Sequence, residues 1–219
     1  MIKNRFVQLG YRTIYIILAP LGILATWGVF KGGPLMADYF TYYTTLSNII
    51  GFLMMLIFWF DTLRFILNKE YKGHQERLLR VKFNVNVALL ITMVVFNILL
   101  KDLIPNYWTF GNLMVHLCLP LLFFFDWILF DKKNIIDIKD ILYTLILPYL
   151  YLVFAMIRGL ITNKYPYPFL NVNEIGYGGV ALYVVLITTG FLMLSVLFYV
   201  YDKLSIDNGK IIYIKETKV

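Results

Sequence analysis

His116 is the one ionisable side chain that falls inside a long, otherwise charge-free apolar stretch of this sequence. An imidazole can give, take or share a proton near pH 7, and an ionisable group at such a position marks a functional site by default. It shares a helical face with Thr109 and Asn112, at spacing i, i+3, i+7. Thr41, Thr44 and Asn48 repeat that spacing in an earlier stretch, and Asn97 stands in a third. Hydroxyls, amides and an imidazole can bind and polarise a hydrogen-bonding ligand. The same groups also glue membrane helices together, so site and packing both stand as readings. Without a cluster of His, Cys or carboxylates beside His116, no metal and no cofactor is expected. The single cysteine, Cys118, excludes an intramolecular disulfide.

Six apolar stretches must position these groups, at about 13–30, 41–62, 83–101, 107–129, 141–160 and 179–201. A helix needs about 20 apolar residues to cross the hydrocarbon. A helix also satisfies its backbone within its own segment, as lipid requires. No period-2 barrel pattern competes. The chain has 219 residues, 60% apolar and 15% charged, with a mean hydropathy of +0.73. Soluble domains run near 45–50% apolar and about 25% charged, so a soluble globule, a coiled coil and a disordered chain are excluded. The expected class is all-α, a single domain over 1–219 that forms a bundle of six transmembrane helices. The first stretch follows Lys3, Arg5 and Arg12 as a signal core would, but it is longer and lacks a small-x-small cleavage site. It reads as a retained span.

Sixteen of the 20 Lys and Arg residues fall on one side of this bundle. The positive-inside bias predicts both termini in the cytoplasm. The net charge of +7 then reads as topology and attraction to anionic headgroups, not as a nucleic-acid surface. In this frame Asp61 with Arg64, and Asp126 with Trp127, are interfacial anchors. His74 is solvated, and 61–82 is a charged surface connection. Thr44, Asn97 and His116 share the outer half of the bilayer. Pro120 has no N–H for the His116 carbonyl, which predicts a kink and a free acceptor there. Pro20 and Pro148 read as ordinary kinks. Tyr165, Pro166, Tyr167, Pro168 and Phe169 form a stiff amphipathic loop, either a lid over a cavity or an aromatic belt. Gly176, Gly178 and Gly179 turn the chain into the last span.

Three ordered motifs resemble the bacterial Pr6Pr family of six-span membrane proteins. They are Tyr42-Tyr43-Thr44-Thr45-Leu46-Ser47-Asn48, His116-Leu117-Cys118-Leu119-Pro120 running into Phe125-Asp126-Trp127, and Tyr165-Pro166-Tyr167-Pro168-Phe169-Leu170, with Asn171 in place of an expected Asp. That family is more distantly similar to the androgen-induced protein family, intramembrane threonine hydrolases that cleave fatty acid esters of hydroxy fatty acids. The resemblance implies a multi-pass protein of the bacterial cytoplasmic membrane. It also implies Thr44 as nucleophile and His116 as base, with a membrane lipid or lipid-like substrate as partner. Whether Thr41 or Thr44 faces His116 stays open. Asn48, Ser47, Asn112 or Asn97 would position the substrate or stabilise an oxyanion. Arg158 would hold a substrate carboxylate or snorkel to the interface. The competing readings are a non-catalytic lipid-binding or transport protein using the same pocket, and a scaffold for another membrane protein.

Overall fold

A computed structural model describes residues 4–32, 35–68, 70–71 and 76–205. His74 lies outside the described residues. Six helices are long and apolar enough to cross a membrane: α1 (Arg5–Trp27), α2 (Tyr43–Leu67), α3 (Glu76–Leu103), α4 (Phe110–Phe130), α5 (Ile138–Thr162) and α6 (Val172–Leu204). No strand occurs among the described residues. The multi-pass all-α architecture expected from hydropathy is therefore the observed one.

Each helix is bounded by local chemistry. The Asn4 side chain accepts from the N–H groups of Phe6 and Val7 to start α1, and Gly28 at φ 97° closes it. Asp137 and Asp140 form a capping box that starts α5. Two spans begin well before the charge-free windows. The eight residues before Thr13 and the seven before Phe83 are helical, so Arg12 and Lys82 lie inside α1 and α3. The glycines before Val180 do not form an open loop either. Helix α6 starts at Val172 and is interrupted only at Gly176, at φ 67° and ψ 170°, a conformation that residues with a Cβ avoid.

Helix α3 is the centre of the bundle. Every residue from Val85 to Thr92 is buried, and α2, α4 and α6 pack around it. Three breaks in the helices open space and redirect carbonyls. α3 widens to a π turn at Phe96–Leu100, and α4 does the same at Met114–Cys118. α5 is interrupted at Thr144–Leu145, four residues before Pro148, where the missing N–H cannot bond the Thr144 carbonyl. The two ends of the bundle can be told apart by their contents. Arg12 near the start of α1 pairs with Asp131 after α4, and Asp202 near the end of α6 bonds the same 131–136 connection. This is the terminal end, and the 28–42 and 163–171 loops form the far end.

Candidate functional site

A cavity of about 100 Å³ lies in the far half, between α2, α3, α5 and α6. The surrounding void, mouth included, is about 730 Å³, within the range of roughly 300–1,000 Å³ usual for ligand clefts. Tyr167, Phe169 and Leu170 of the 163–171 loop form its far wall, and Ile91, Leu145 and Phe191 line it deeper in the bundle. The break at Thr144–Leu145 contributes to the space, since Leu145 and Pro148 line it. From Ile146 to Thr162, α5 buries only Tyr151, Ala155 and Gly159. The edge between α5 and α6 is bridged by a 3.1 Å bond between the Tyr149 and Thr188 hydroxyls. Tyr149 is 43% exposed, so the cavity reaches the lipid-facing flank of the bundle.

The loop is folded into the bundle rather than laid on its surface. Tyr167 and Phe169 are buried and stacked on one another at 5.0 Å, while Pro168 stays exposed. Tyr165 closes over Gly159, which leaves no room for a Cβ. Arg158 fastens this arrangement. It donates to the Lys164 carbonyl at 2.6 Å and pairs with Asp38 at 2.7 Å, so it ties the 163–171 loop to the 28–42 loop. Asp38 had no role in the sequence reading.

Thr44 lines the cavity. Its backbone N–H donates to the Tyr167 hydroxyl at 3.3 Å, and the Tyr167 hydroxyl also bonds its side chain. Burial pushes the Tyr167 phenol above its usual range, although its bonds to Thr44 pull the other way. Tyr167 is thus a neutral hydrogen-bonding partner for Thr44 and not a base. Thr41 takes no part. Helix α2 starts at Tyr43 after the extended Tyr42, so Thr41 is not on the helical face of Thr44 and Asn48. Its hydroxyl donates to Asp38 and its carbonyl accepts from Tyr151.

His116 is buried, and its ring lies flat on Phe96 with centroids 3.2 Å apart. Phe96 lines the cavity and His116 does not. The Nδ1 of His116 is buried without a partner, and no hydrogen bond joins it to Thr44 among the described residues. The carbonyl freed by Pro120 is taken by the Asn97 amide at 3.3 Å. Asn97 Nδ2 also donates to Met93, and its Oδ1 accepts from Tyr107. Asn48 Nδ2 donates to the carbonyls of Thr44 and Val115 at 2.9 and 3.1 Å. Both hydrogens of each amide are spent on backbone oxygens, which leaves neither an N–H for an oxyanion. Ser47 is bonded to the Thr44 carbonyl and to Thr92. Asn112 reaches the Asn106 carbonyl, in the turn before α4.

The terminal half holds a second arrangement, which the charge-free windows concealed. Asp126 and Trp127 are not interfacial anchors, being 0% and 1% exposed. Arg12 uses all five of its donors there. It grips Asp126 bidentately at 2.9 and 3.1 Å and reaches Asp131 at 3.0 Å, Thr62 at 2.7 Å and the Phe58 carbonyl at 3.0 Å. The Lys82 ammonium bonds Asp126 and Asp131 and lies 4.3 Å from the Phe58 ring centroid. Two cations thus meet two carboxylates. Nearby, Lys133 donates to the Trp127 carbonyl and lies over the Trp127 ring. Asp202 accepts from the N–H groups of Ile135 and Ile136 at 3.0 Å each. A reading that let spans extend past their first charge, and matched cations to carboxylates at like depth, could have found Arg12 and Asp126. No group of three His, Cys, Asp or Glu residues among the described ones is placed to hold a metal.

No family model, no curated protein and no solved structure matches this chain.

Proposed function

We propose that this chain is a multi-pass membrane protein that takes a single lipid chain from the bilayer into the far-half cavity beneath the 163–171 loop. One observation carries this reading. The cavity is open toward the lipid-facing flank beside Tyr149 and walled mostly by hydrocarbon, with Tyr43, Thr44, Tyr151 and Tyr167 gathered beneath the loop. Such a wall suits an amphiphile whose chain enters sideways and whose polar group lies under the loop. The far end is read as the outer leaflet and both termini as cytoplasmic. Discounting the three buried cations Arg12, Lys82 and Lys133 leaves thirteen basic residues against four, so the bias keeps its direction.

Val184 of α6 and Leu152 of α5 both line the cavity, and Val184→Trp is expected to fill it. Native mass spectrometry of the full chain, purified in mild detergent, is expected to find bound lipid in the parent. At least a tenfold loss is expected in Val184→Trp, with its melting temperature little changed. Equal lipid retention in both proteins would sink the reading.

Thr44 in the wall supports a second reading, hydrolysis of a lipid ester with Thr44 as nucleophile and His116 as base. For this His116 must leave the Phe96 ring and reach the Thr44 hydroxyl. It predicts that a fluorophosphonate labels the parent and labels neither Thr44→Ala nor His116→Ala. An unlabelled parent, or labelling unchanged in either variant, would remove it.

A further inference from the structure

The headgroup this cavity accepts can be argued from what lines it. None of the described residues in its wall carries a charge. At the far end, Arg158 is spent on Asp38 and on the Lys164 carbonyl, and Lys101, next to the lining Leu100, lies over the Tyr107 and Trp108 rings. An ionised headgroup brought in would meet hydroxyls and aromatic rings but no counter-ion, and burying an unpaired charge is far costlier than burying a neutral oxygen.

The hydroxyls are also unequal. Tyr151 donates to the Thr41 carbonyl at 2.9 Å, and Thr92 donates to Ala88 at 2.8 Å. Tyr149 and Thr188 bond each other, and Tyr167 is held on Thr44. Tyr43 differs. It lines the cavity at 9% exposure, its ring stands edge-on to Tyr151 at 5.2 Å, and its buried hydroxyl has no partner. A buried O–H without an acceptor is unfavourable. The Tyr43 side chain borders a space that could deliver one.

We infer that the cavity selects an uncharged lipid, a long-chain alcohol or monoacylglycerol, and that Tyr43 donates the hydrogen bond that receives its hydroxyl or carbonyl oxygen. The inference rests on the cavity being a lipid site. It adds the class of headgroup and names the positioning residue, with Thr44 and Tyr167 close by to bond a second oxygen.

The test uses the full chain in nanodiscs at pH 8 and photo-crosslinking probes that share one diazirine-bearing chain. The probes are a monoacylglycerol, a fatty alcohol, a fatty acid and a lysophosphatidic acid. The two neutral probes are expected to label segments 145–152 and 184–191 at concentrations about tenfold below the two anionic ones. Tyr43→Phe keeps the ring and removes the hydroxyl. It is expected to weaken labelling by neutral probes about 3- to 10-fold, to leave anionic labelling unchanged and to melt as the parent does. Equal or stronger labelling by the anionic probes overturns the inference and leaves the lipid cavity standing. So does a Tyr43→Phe variant that labels like the parent. If no probe labels either segment in the parent, the lipid-cavity reading itself falls.

Discussion

At the terminal end, Arg12, Lys82, Asp126 and Asp131 bury four charges at 3% exposure or less, and every guanidinium N–H has an acceptor. At the far end, an uncharged cavity is lined by hydroxyls, and one of them has nothing to bond. Polar groups in hydrocarbon must be satisfied within the protein or cost several kcal/mol. The terminal network meets that demand from its own side chains and draws α1, α2, α3 and α4 together, although Asp202 Oδ1 near it has no partner. The far end leaves part of the demand open, beside a cavity that a ligand could fill. The difference separates what holds the bundle from what can work in it.

The largest expected effect breaks the closed end. Arg12→Leu leaves Asp126 and Asp131 with one cation between them and is expected to cost about 3–5 kcal/mol. The loss would appear as disappearance of the monodisperse peak in fluorescence-detected size exclusion after mild heating. Combining Arg12→Met with Asp126→Leu removes one charge of each sign and is expected to recover much of that loss. If the double variant is no better than the single, the network does not act as a charge-balanced unit.

A smaller effect probes its edge. Burial holds the Lys133 ammonium down to about 8, against the partial support of Asp131, whereas an unfolded lysine keeps its proton to about 10.5. Between those values the unfolded chain binds more protons, so stability rises with pH, by up to about 3 kcal/mol from this group. Melting temperatures of the parent should climb from pH 7.5 to 9.5 more steeply than those of Lys133→Met. Parallel curves would show that Lys133 does not titrate in that window.

The smallest change loosens the open end. A side chain at Gly159 would occupy the space of the Tyr165 ring. Gly159→Val is expected to displace the 163–171 loop at about 1–3 kcal/mol and to speed exchange of a bound fluorescent lipid. An exchange rate equal to that of the parent would mean that the loop does not govern access.

The helices themselves were legible because hydropathy is summed over some 20 residues and tolerates local error. Alternating prolines and aromatics mark 165–169 as a stiff connection, but the burial of Tyr167 and Phe169 against the bundle is not written in that pattern. Asn97 and His116 were placed at a common level, but their pairing was not foreseen. It depends on the π turn in each helix, which redirects the His116 carbonyl to the Asn97 amide. Thr41 was grouped with Thr44 by spacing alone, and the extended Tyr42 separates them. Arg12, in the flank before the first stretch, and Lys82, in the 61–82 connection, fall outside the expected spans because a search for charge-free runs must stop at a charge. Their burial depends on carboxylates 114 and 44 positions away, a complementarity that no local window contains.

That separation also bears on how the protein is made. Arg12 enters the membrane region 114 positions ahead of Asp126, and a lone guanidinium in hydrocarbon is costly. While the first helix waits, its most favourable placement is shifted toward the interface on the terminal side, with Arg12 among the headgroups. Arrival of the fourth helix brings the carboxylates, and α1 can then settle to its final depth. The arginine makes the burial of the first helix depend on carboxylates carried by the fourth helix and the residue after it.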